Sequence, residues 1–352
     1  MRIVVNNIAA SSGGAMTVLK DFYKCVTECD KENEWIFLLN QAYFEETENV
    51  RIITLPEIKK SARKKIMFDF FTGKKYIKAL KPDVVFSMQN LITFGLKVPQ
   101  IVYLHQSIPF QSAKKYSLLR RRERKLAFIQ HILGFFIKRS VKRADAVIVQ
   151  TAWMKEAVTR ICRVPESKIH QIPPNVKDIS TFRQDGVFDQ THFFYPTAVA
   201  SYKNNACIFA ACEELQKEGI PFHVTLTLPK EMSRPGIDCI GRIPYEEVLD
   251  HYNKSTLIFP SYIETFGYPL VEGRQMGTVV LASSCAFSKE LLLGYENAYL
   301  FDPFKSEELA CLMKRVISGE ICKKETSPEA SETENTWKKV LNAVVSLKGD
   351  LR

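Results

Sequence analysis

The chain has 352 residues, 46% of them hydrophobic, which is enough for two packed domains of ordinary globular composition. Its nine cysteines are scattered with no C-x-x-C pair, which argues against a zinc ribbon or a dithiol redox motif. The formal net charge of +10 is local: residues 114–143 carry eleven Lys or Arg against one acid, Glu123. No apolar run approaches the roughly 18 residues needed to cross a bilayer. The opening MRIVVNNIA reads as a strand and not as a secretory leader, so a reducing, cytoplasmic setting is expected.

In chain order, residues 2–5 (RIVV) form a first strand, the turn NNIAASSGGAM follows, and a helix runs through TVLKDFYKCV. Gly13 and Gly14 sit where a first strand-to-helix loop lets backbone approach a ligand. They are not part of a G-x-G-x-x-G run, so a dinucleotide signature is not supported, and a merely tight turn explains the pair alone. Strands are predicted over 35–40 (WIFLLN), 50–55 (VRIITL), 83–88 (DVVFSM) and 101–105 (IVYLH), with a basic helix over about 61–80. Strands alternating with helices mean βαβ units and a parallel sheet. His105 ends the fourth of these strands, and Asn90 follows the third. Both lie at carboxyl strand ends, where sites form, although a lone His is more often a structural residue.

Leu119, Leu126, Ile129, Leu133 and Phe136 recur at helical spacing within 114–143, with Arg120, Arg121, Arg124 and Lys125 largely on other faces and Gly134 able to bend the helix. A core-packed helix explains the apolar stripe but not the near absence of acids. An anionic membrane surface is the expected partner, placing the chain peripherally at the inner face of a membrane. No RNA-binding aromatic motif or zinc finger accompanies the charge, so nucleic acid is not expected. A buried strand at 144–151, a helix WMKEAVTRIC and the Pro173–Pro174 pair close the first domain. The stretch to about Gln190 reads as a linker.

In the second half, HFFYPTAV is a strand, SYKNN a loop holding Lys203, and ACIFAACEELQKEG a helix. FHVTLTL is a strand, DCIGRI leads into the helix YEEVLDHYNKS, and residues 257–259 form a buried strand closed by Pro260. The loop SYIETFGY follows, Pro269 stands at a helix start, and PLVEGRQMG is a helix ended by Gly277 before the strand TVVLAS. FSKELLLG, FDPFKSEELACLMKRVI and TWKKVLNAVVSL are further helices, the last preceded by the acidic, Ser/Thr-rich stretch KKETSPEASETEN. Glu264 in the loop and Glu272 in the first helical turn bracket Phe266-Gly267. Carboxylates do not bind an anion, but they accept hydrogen bonds from hydroxyls, and the helix start between them favours a phosphate. Taken alone, the two acids read equally well as a solvated loop residue and an ordinary first-turn residue.

The run PSYIETFGYPLVEG (260–273) closely resembles the C-terminal signature of the retaining family 4 glycosyltransferases. The resemblance implies a GT-B fold of the α/β class, with two Rossmann-like domains facing across a cleft and a C-terminal helix returning to the first domain. Boundaries are expected at 1–175 (acceptor side), 176–330 (nucleotide-sugar side) and 331–352 (the returning helix, with Trp337 as anchor). By the same resemblance Glu264 holds the transferred sugar, Thr265, Phe266, Gly267, Tyr268, Pro269 and Leu270 line the diphosphate, and Glu272 holds the ribose. Lys203 is similar to the family's diphosphate-binding Lys, Gly13 and Gly14 to its Gly-rich loop, and His105 to a residue near sugar and acceptor. The family's Arg a few residues before the Lys is missing, because Thr197, Ala198, Val199 and Ala200 occupy that place. Either Lys203 works with backbone N–H groups alone or a more distant cation such as Arg242 or Arg274 assists.

The activity implied is transfer of a hexose-type sugar, with retention, from a nucleotide-diphosphate sugar to a glycan or lipid-linked acceptor. Bacterial surface polysaccharide synthesis is the expected setting. Neither a cofactor nor a bound metal is expected. A sugar-nucleotide epimerase of the same fold and a non-enzymatic basic surface protein are the rivals. The second of these leaves Lys203, Glu264 and Glu272 without a purpose. A phosphorylase would need a pyridoxal phosphate lysine and a longer chain.

Overall fold

The computed structural model describes residues 1–10, 14–184, 186–326 and 335–347. The chain divides into two compact units, one of residues 1–175 with the C-terminal segment from 334, the other of residues 176–333.

The first unit holds strands β1 (Arg2–Asn6), β2 (Glu34–Leu39), β3 (Val50–Thr54), β4 (Val84–Ser87), β5 (Gln100–Tyr103), β6 (Ala146–Val149) and β7 (Ile169–Gln171). They pair in parallel in the order β3-β2-β1-β4-β5-β6-β7. The second unit holds β8 (His192–Tyr195), β9 (His223–Leu226), β10 (Ile237–Cys239), β11 (Thr256–Phe259), β12 (Val280–Ser283) and β13 (Ala298–Phe301), parallel in the order β10-β9-β8-β11-β12-β13. The central strands are apolar runs buried on both faces, as helix-covered parallel sheets require. In each sheet the chain starts inside, winds one way, then returns and winds the other. The order reverses between β1 and β4 and between β8 and β11, and at such switch points the loops at the carboxyl ends diverge to leave room for a ligand.

Helix Thr336–Ser346 belongs to the first unit. The Trp337 ring lies 5.9 Å from Phe22 and 5.9 Å from Tyr103, and Val340 and Val344 complete its buried face. Most of the acidic stretch before it, residues 327–334, lies outside the described residues.

Three departures from expectation have identifiable physical causes. Residues 114–123 are not helical, and the helix begins at Arg124. The Glu123 carboxylate accepts from Ser117 N at 2.9 Å and pairs with Lys114, while Gln130 Oε1 accepts from Tyr116 N, so side chains take up the backbone that a helix would use. Residues 179–184 are not a free linker: Ile179 N donates to Gln275 Oε1, and the Arg183 guanidinium donates to the carbonyls of Gln275 and Thr326, all in the second unit. Strands β7, β10 and β13 were not expected: they are three or four residues long, lie at sheet edges and are incompletely buried, so they lack the apolar run that marks their neighbours.

Three imidazoles gather in the second unit. His192 opens β8, His223 opens β9, and His251 lies on helix Tyr245–Lys254. The His192 ring centroid is 4.8 Å from that of His223 and 5.7 Å from that of His251, which stacks on Phe194. Thr225 Oγ1 lies 2.9 Å from His192 Nε2 and 3.2 Å from His223 Nε2. Burial, then the other two imidazoles, hold His192 down at about 4, against the favourable charge of Asp189. Burial also lowers His251, against Asp250 and Glu247. Between about pH 6.5 and 4 the unfolded chain binds protons that folded His192 refuses, so stability falls as pH falls through that window. With His192 half exposed, the expected loss is about 1–2 kcal/mol. Thermal melts across the window should show the second unit weakening, and His192→Gln should flatten that dependence. A flat wild-type profile would contradict it.

Candidate active site

The site is built where the second sheet reverses its order. After β8 the chain makes a single 3-10 turn, Ser201–Lys203, and Asn204 then takes a left-handed conformation (φ 58°) to open helix Asn205–Lys217. Asn tolerates that region better than most residues. Asn204 Nδ2 donates to the carbonyls of Pro260 (3.2 Å) and Pro303 (2.6 Å), tying the turn to the ends of β11 and β13. Asn205 Nδ2 donates to Ala198 O at 3.0 Å, and Asn205 Oδ1 accepts from Thr197 Oγ1 at 3.0 Å. The segment in which the family's Arg is missing is thus held by amides and hydroxyls.

This scaffold sets Lys203 Nζ 2.6 Å from Glu264 Oε1, in the loop after β11. Ser261 Oγ donates to the same carboxylate oxygen at 2.7 Å, and Tyr262 N donates to Tyr202 O at 3.1 Å, which stitches the two loops together. The ammonium also lies 5.8 Å from the Phe259 ring and 5.9 Å from the Tyr202 ring, within cation–π range. Burial, then the Glu264 charge, push the phenols of Tyr195 and Tyr202 up. With side chains 20% and 16% exposed, Lys203 and Glu264 remain reachable, the first by an anion and the second by a hydroxyl.

Gly267 caps the next helix, Tyr268–Gln275, at φ 109° and ψ 60°. A Cβ there would meet only ordinary contacts at 3.5–3.7 Å, so torsion and not space demands glycine. Pro269 stands in the first turn, Phe266 and Leu270 are buried, and Thr265 and Tyr268 are more open. At Gly273 a Cβ would come within 2.9 Å of Leu257, so glycine lets the helix pack closely on β11.

Glu272 is clamped by two tyrosines of helix Tyr245–Lys254. Tyr245 OH donates to Oε1 at 2.9 Å and Tyr252 OH to Oε2 at 2.8 Å. Burial raises the Glu272 carboxyl, and the two hydrogen bonds oppose that rise. Each carboxylate oxygen keeps a further acceptor position. Tyr252→Phe removes one bond from a partly buried carboxylate and is expected to cost about 1–2 kcal/mol of stability. A fall in melting temperature without loss of folding would bear this out, and an unchanged melt would count against a clamp.

Of the two more distant cations, Arg274 is committed elsewhere, since its guanidinium donates to the carbonyls of Leu291 (2.8 Å) and Leu293 (3.1 Å). Arg242 is exposed in the loop after β10. Among the described residues, no group of three or more His, Cys, Asp or Glu is arranged to hold a metal ion.

In the first unit, His105 lies two residues past β5. Asn90, left-handed at φ 66°, accepts from the backbone N–H groups of His105 (2.7 Å) and Gln106 (3.0 Å) through Oδ1, so its amide shapes the loop. The His105 ring sits 4.3 Å from that of Tyr103, and burial lowers its pKa to about 4, which keeps it neutral near pH 7. Gly14 is the first residue of helix Gly14–Cys29, and Gly13 lies outside the described residues.

The sequence reading missed Tyr245, Tyr252, Ser261, Asn204 and Asn205. The tyrosine pair had a signal, since a seven-residue spacing is two helical turns on one face. The asparagines stood just ahead of a predicted helix, where capping residues gather.

Residues 13–178 match the family model described as Glycosyltransferase Family 4, and residues 230–333 match that of Glycosyl transferases group 1. The chain belongs to the family 4 glycosyltransferases. It is a glycosyltransferase enzyme with the two-domain α/β architecture of the GT-B fold. No curated protein matches this glycosyltransferase in sequence. Among solved structures it is similar to the lipopolysaccharide outer core galactosyltransferase WaaB, at 15% identity and a TM-score of 0.66, over 98% of this chain and 99% of that one. WaaG, a glycosyltransferase involved in lipopolysaccharide biosynthesis, aligns at 13% identity and a TM-score of 0.67, over 97% and 99%. HepE of Anabaena in complex with UDP-glucose aligns at 14% identity and a TM-score of 0.61, over 100% and 98%. At such identities the glycosyltransferase shares a fold with these proteins.

Proposed function

We propose that this glycosyltransferase moves a hexose-type sugar, with retention, from a nucleotide-diphosphate sugar to a glycan or lipid-linked acceptor in surface polysaccharide synthesis. The observation that carries the reading is the Lys203–Glu264 pair at the carboxyl edge of the second sheet, beside the helix start after Gly267. In the proposed reaction the bond from the anomeric carbon to the diphosphate breaks while the acceptor oxygen bonds to the same face, and the acceptor proton leaves with the diphosphate. Lys203 offsets the charge that builds on the departing group, together with backbone N–H groups along Thr265 to Leu270. Glu264 orients the sugar and Glu272 the ribose, which is positioning work. Neutral His105, Gly13 and Gly14 are proposed as the first unit's contribution. The UDP-glucose bound to HepE supports a donor of this class.

The acceptor side of the proposal rests on charge and exposure. Leu119, Phe128, Ile132 and Phe135 are exposed in a segment that also exposes Arg120, Arg121, Arg124 and Lys125, a combination suited to peripheral contact with an anionic membrane. No helix among the described residues is long and apolar enough to cross one.

The test is incubation with a panel of nucleotide sugars and oligosaccharide or lipid-linked acceptors, followed by proton NMR of the product's anomeric centre. Transfer with the donor's configuration is expected. An inverted product would overturn retention, and an epimerised sugar nucleotide without transfer would favour the epimerase.

A further inference from the structure

A second feature of the first unit uses none of the residues named for the reaction. Helix Pro56–Lys59 and the helical run 62–79 border an open groove of about 1010 Å³. Its wall is apolar, with Leu55, Ile58 and Phe68 set against the core beneath β1, β2 and β4. Met67 and Tyr76 line it while staying 50% and 37% exposed. Cations share the lining: Arg63, Lys64 and Lys75. The run also contains a π-helical turn at Phe68–Thr72, a distortion often found at functional places.

The charge balance narrows what fits. Residues 56–79 carry eight Lys or Arg against two acids. Both acids are engaged, Glu57 by Lys60 and Lys64, and Asp69 by Lys65. None of the ion pairs among the described residues involves Arg63 or Lys75. A bare anion has no use for the apolar wall, and a neutral hydrocarbon none for the cations. A second copy of this face would bring like charge against like charge. An amphiphile with one anionic head satisfies both halves of the groove.

We propose that the groove holds the hydrocarbon chain of a phosphate-bearing lipid, with the phosphate on Arg63 and Lys75 and the chain against Ile58, Met67, Phe68 and Tyr76. Exposed Ile66 and Phe71 on the same run suit a bilayer surface from which such a lipid is drawn. This rests on the proposed lipid-linked acceptor and assigns the place of its lipid part.

The test uses the whole chain and isothermal titration with decyl phosphate below its micelle concentration, alongside inorganic phosphate and decyl maltoside. Saturable binding of decyl phosphate is expected, at least about 10-fold tighter than either control. The Arg63→Glu/Lys75→Glu variant, altered at solvent-reachable side chains, should melt like the wild type and lose at least about 10-fold in decyl phosphate affinity. In Met67→Trp the indole emission should shift to the blue on adding decyl phosphate. Equal binding of inorganic phosphate, undiminished binding by the double variant, or binding of an acidic amphipathic peptide in place of decyl phosphate would each overturn the proposal. Nucleotide-sugar binding is measured separately. If it holds while decyl phosphate fails, the groove assignment falls alone; if it fails, the transferase reading falls whatever the groove binds.

Discussion

Replacing Lys203 with alanine is expected to lower kcat by about 100- to 1000-fold, the scale seen when a single preorganised charge-stabilising group is removed. The reason lies in what surrounds it. The segment 197–200 carries no cation, Arg274 is committed to the carbonyls of Leu291 and Leu293, and Lys203 is the cation that the turn after β8 delivers to Glu264. Charge gathering on a departing diphosphate beside Glu264 therefore meets the Lys203 ammonium. The structural cost should be smaller, about 1 kcal/mol, because the pair is partly exposed and Ser261 still donates to Glu264. Lys203→Arg should recover part of the rate, since charge is kept but a planar fork replaces a compact ammonium. Steady-state kinetics with the preferred donor, beside thermal melts, separates the two effects. A loss under about 5-fold would take Lys203 out of the proposed chemistry.

Gly267→Ala is expected to cost about 1–3 kcal/mol of stability and about 100-fold in activity. At φ 109° and ψ 60° an L side chain is strained even though the neighbouring side chains leave room for a methyl group. The loop can relieve that strain by shifting, and the shift moves Glu264 on one side of Gly267 and the helix start on the other. A displacement near 1 Å is enough to lose two orders of magnitude. Melting temperature and kcat measured together decide the matter. A variant that melts and turns over like the wild type would mean that the tight turn neither strains the loop nor positions the site.

The sequence disclosed the central strands and the signature loop because their signals are local. Ile258 and Phe259 sit in an apolar run, Gly267 and Pro269 are conformational markers, and Lys203 lies in a short loop between a strand and a helix. What stayed hidden depends on pairings across the sheet. Nothing local says that Asn204 reaches Pro260 and Pro303, or that Tyr245 and Tyr252 close on a carboxylate twenty or more residues away. Arg183 was read as linker because its partners, the carbonyls of Gln275 and Thr326, are about 90 and 140 positions distant. The helical spacing that begins at Leu119 holds only from Arg124 onward for a related reason: one acid, Glu123, binds the backbone and cations of the segment before it. Asn90, a polar residue at a strand end, shapes the loop that carries His105, a contact that its position in the sequence does not announce.

The most direct measurement is a thermal-shift screen of the wild type, Lys203→Ala and Glu272→Ala against UDP, GDP, ADP, CMP and dTDP sugars. A ligand that binds the folded state raises the melting point according to its concentration and affinity. One nucleotide class is expected to stabilise the wild type, and both variants are expected to lose most of that response. If no nucleotide sugar shifts the wild type, or if the variants respond as strongly as it does, the donor site is not the one built from Lys203, Glu264 and Glu272.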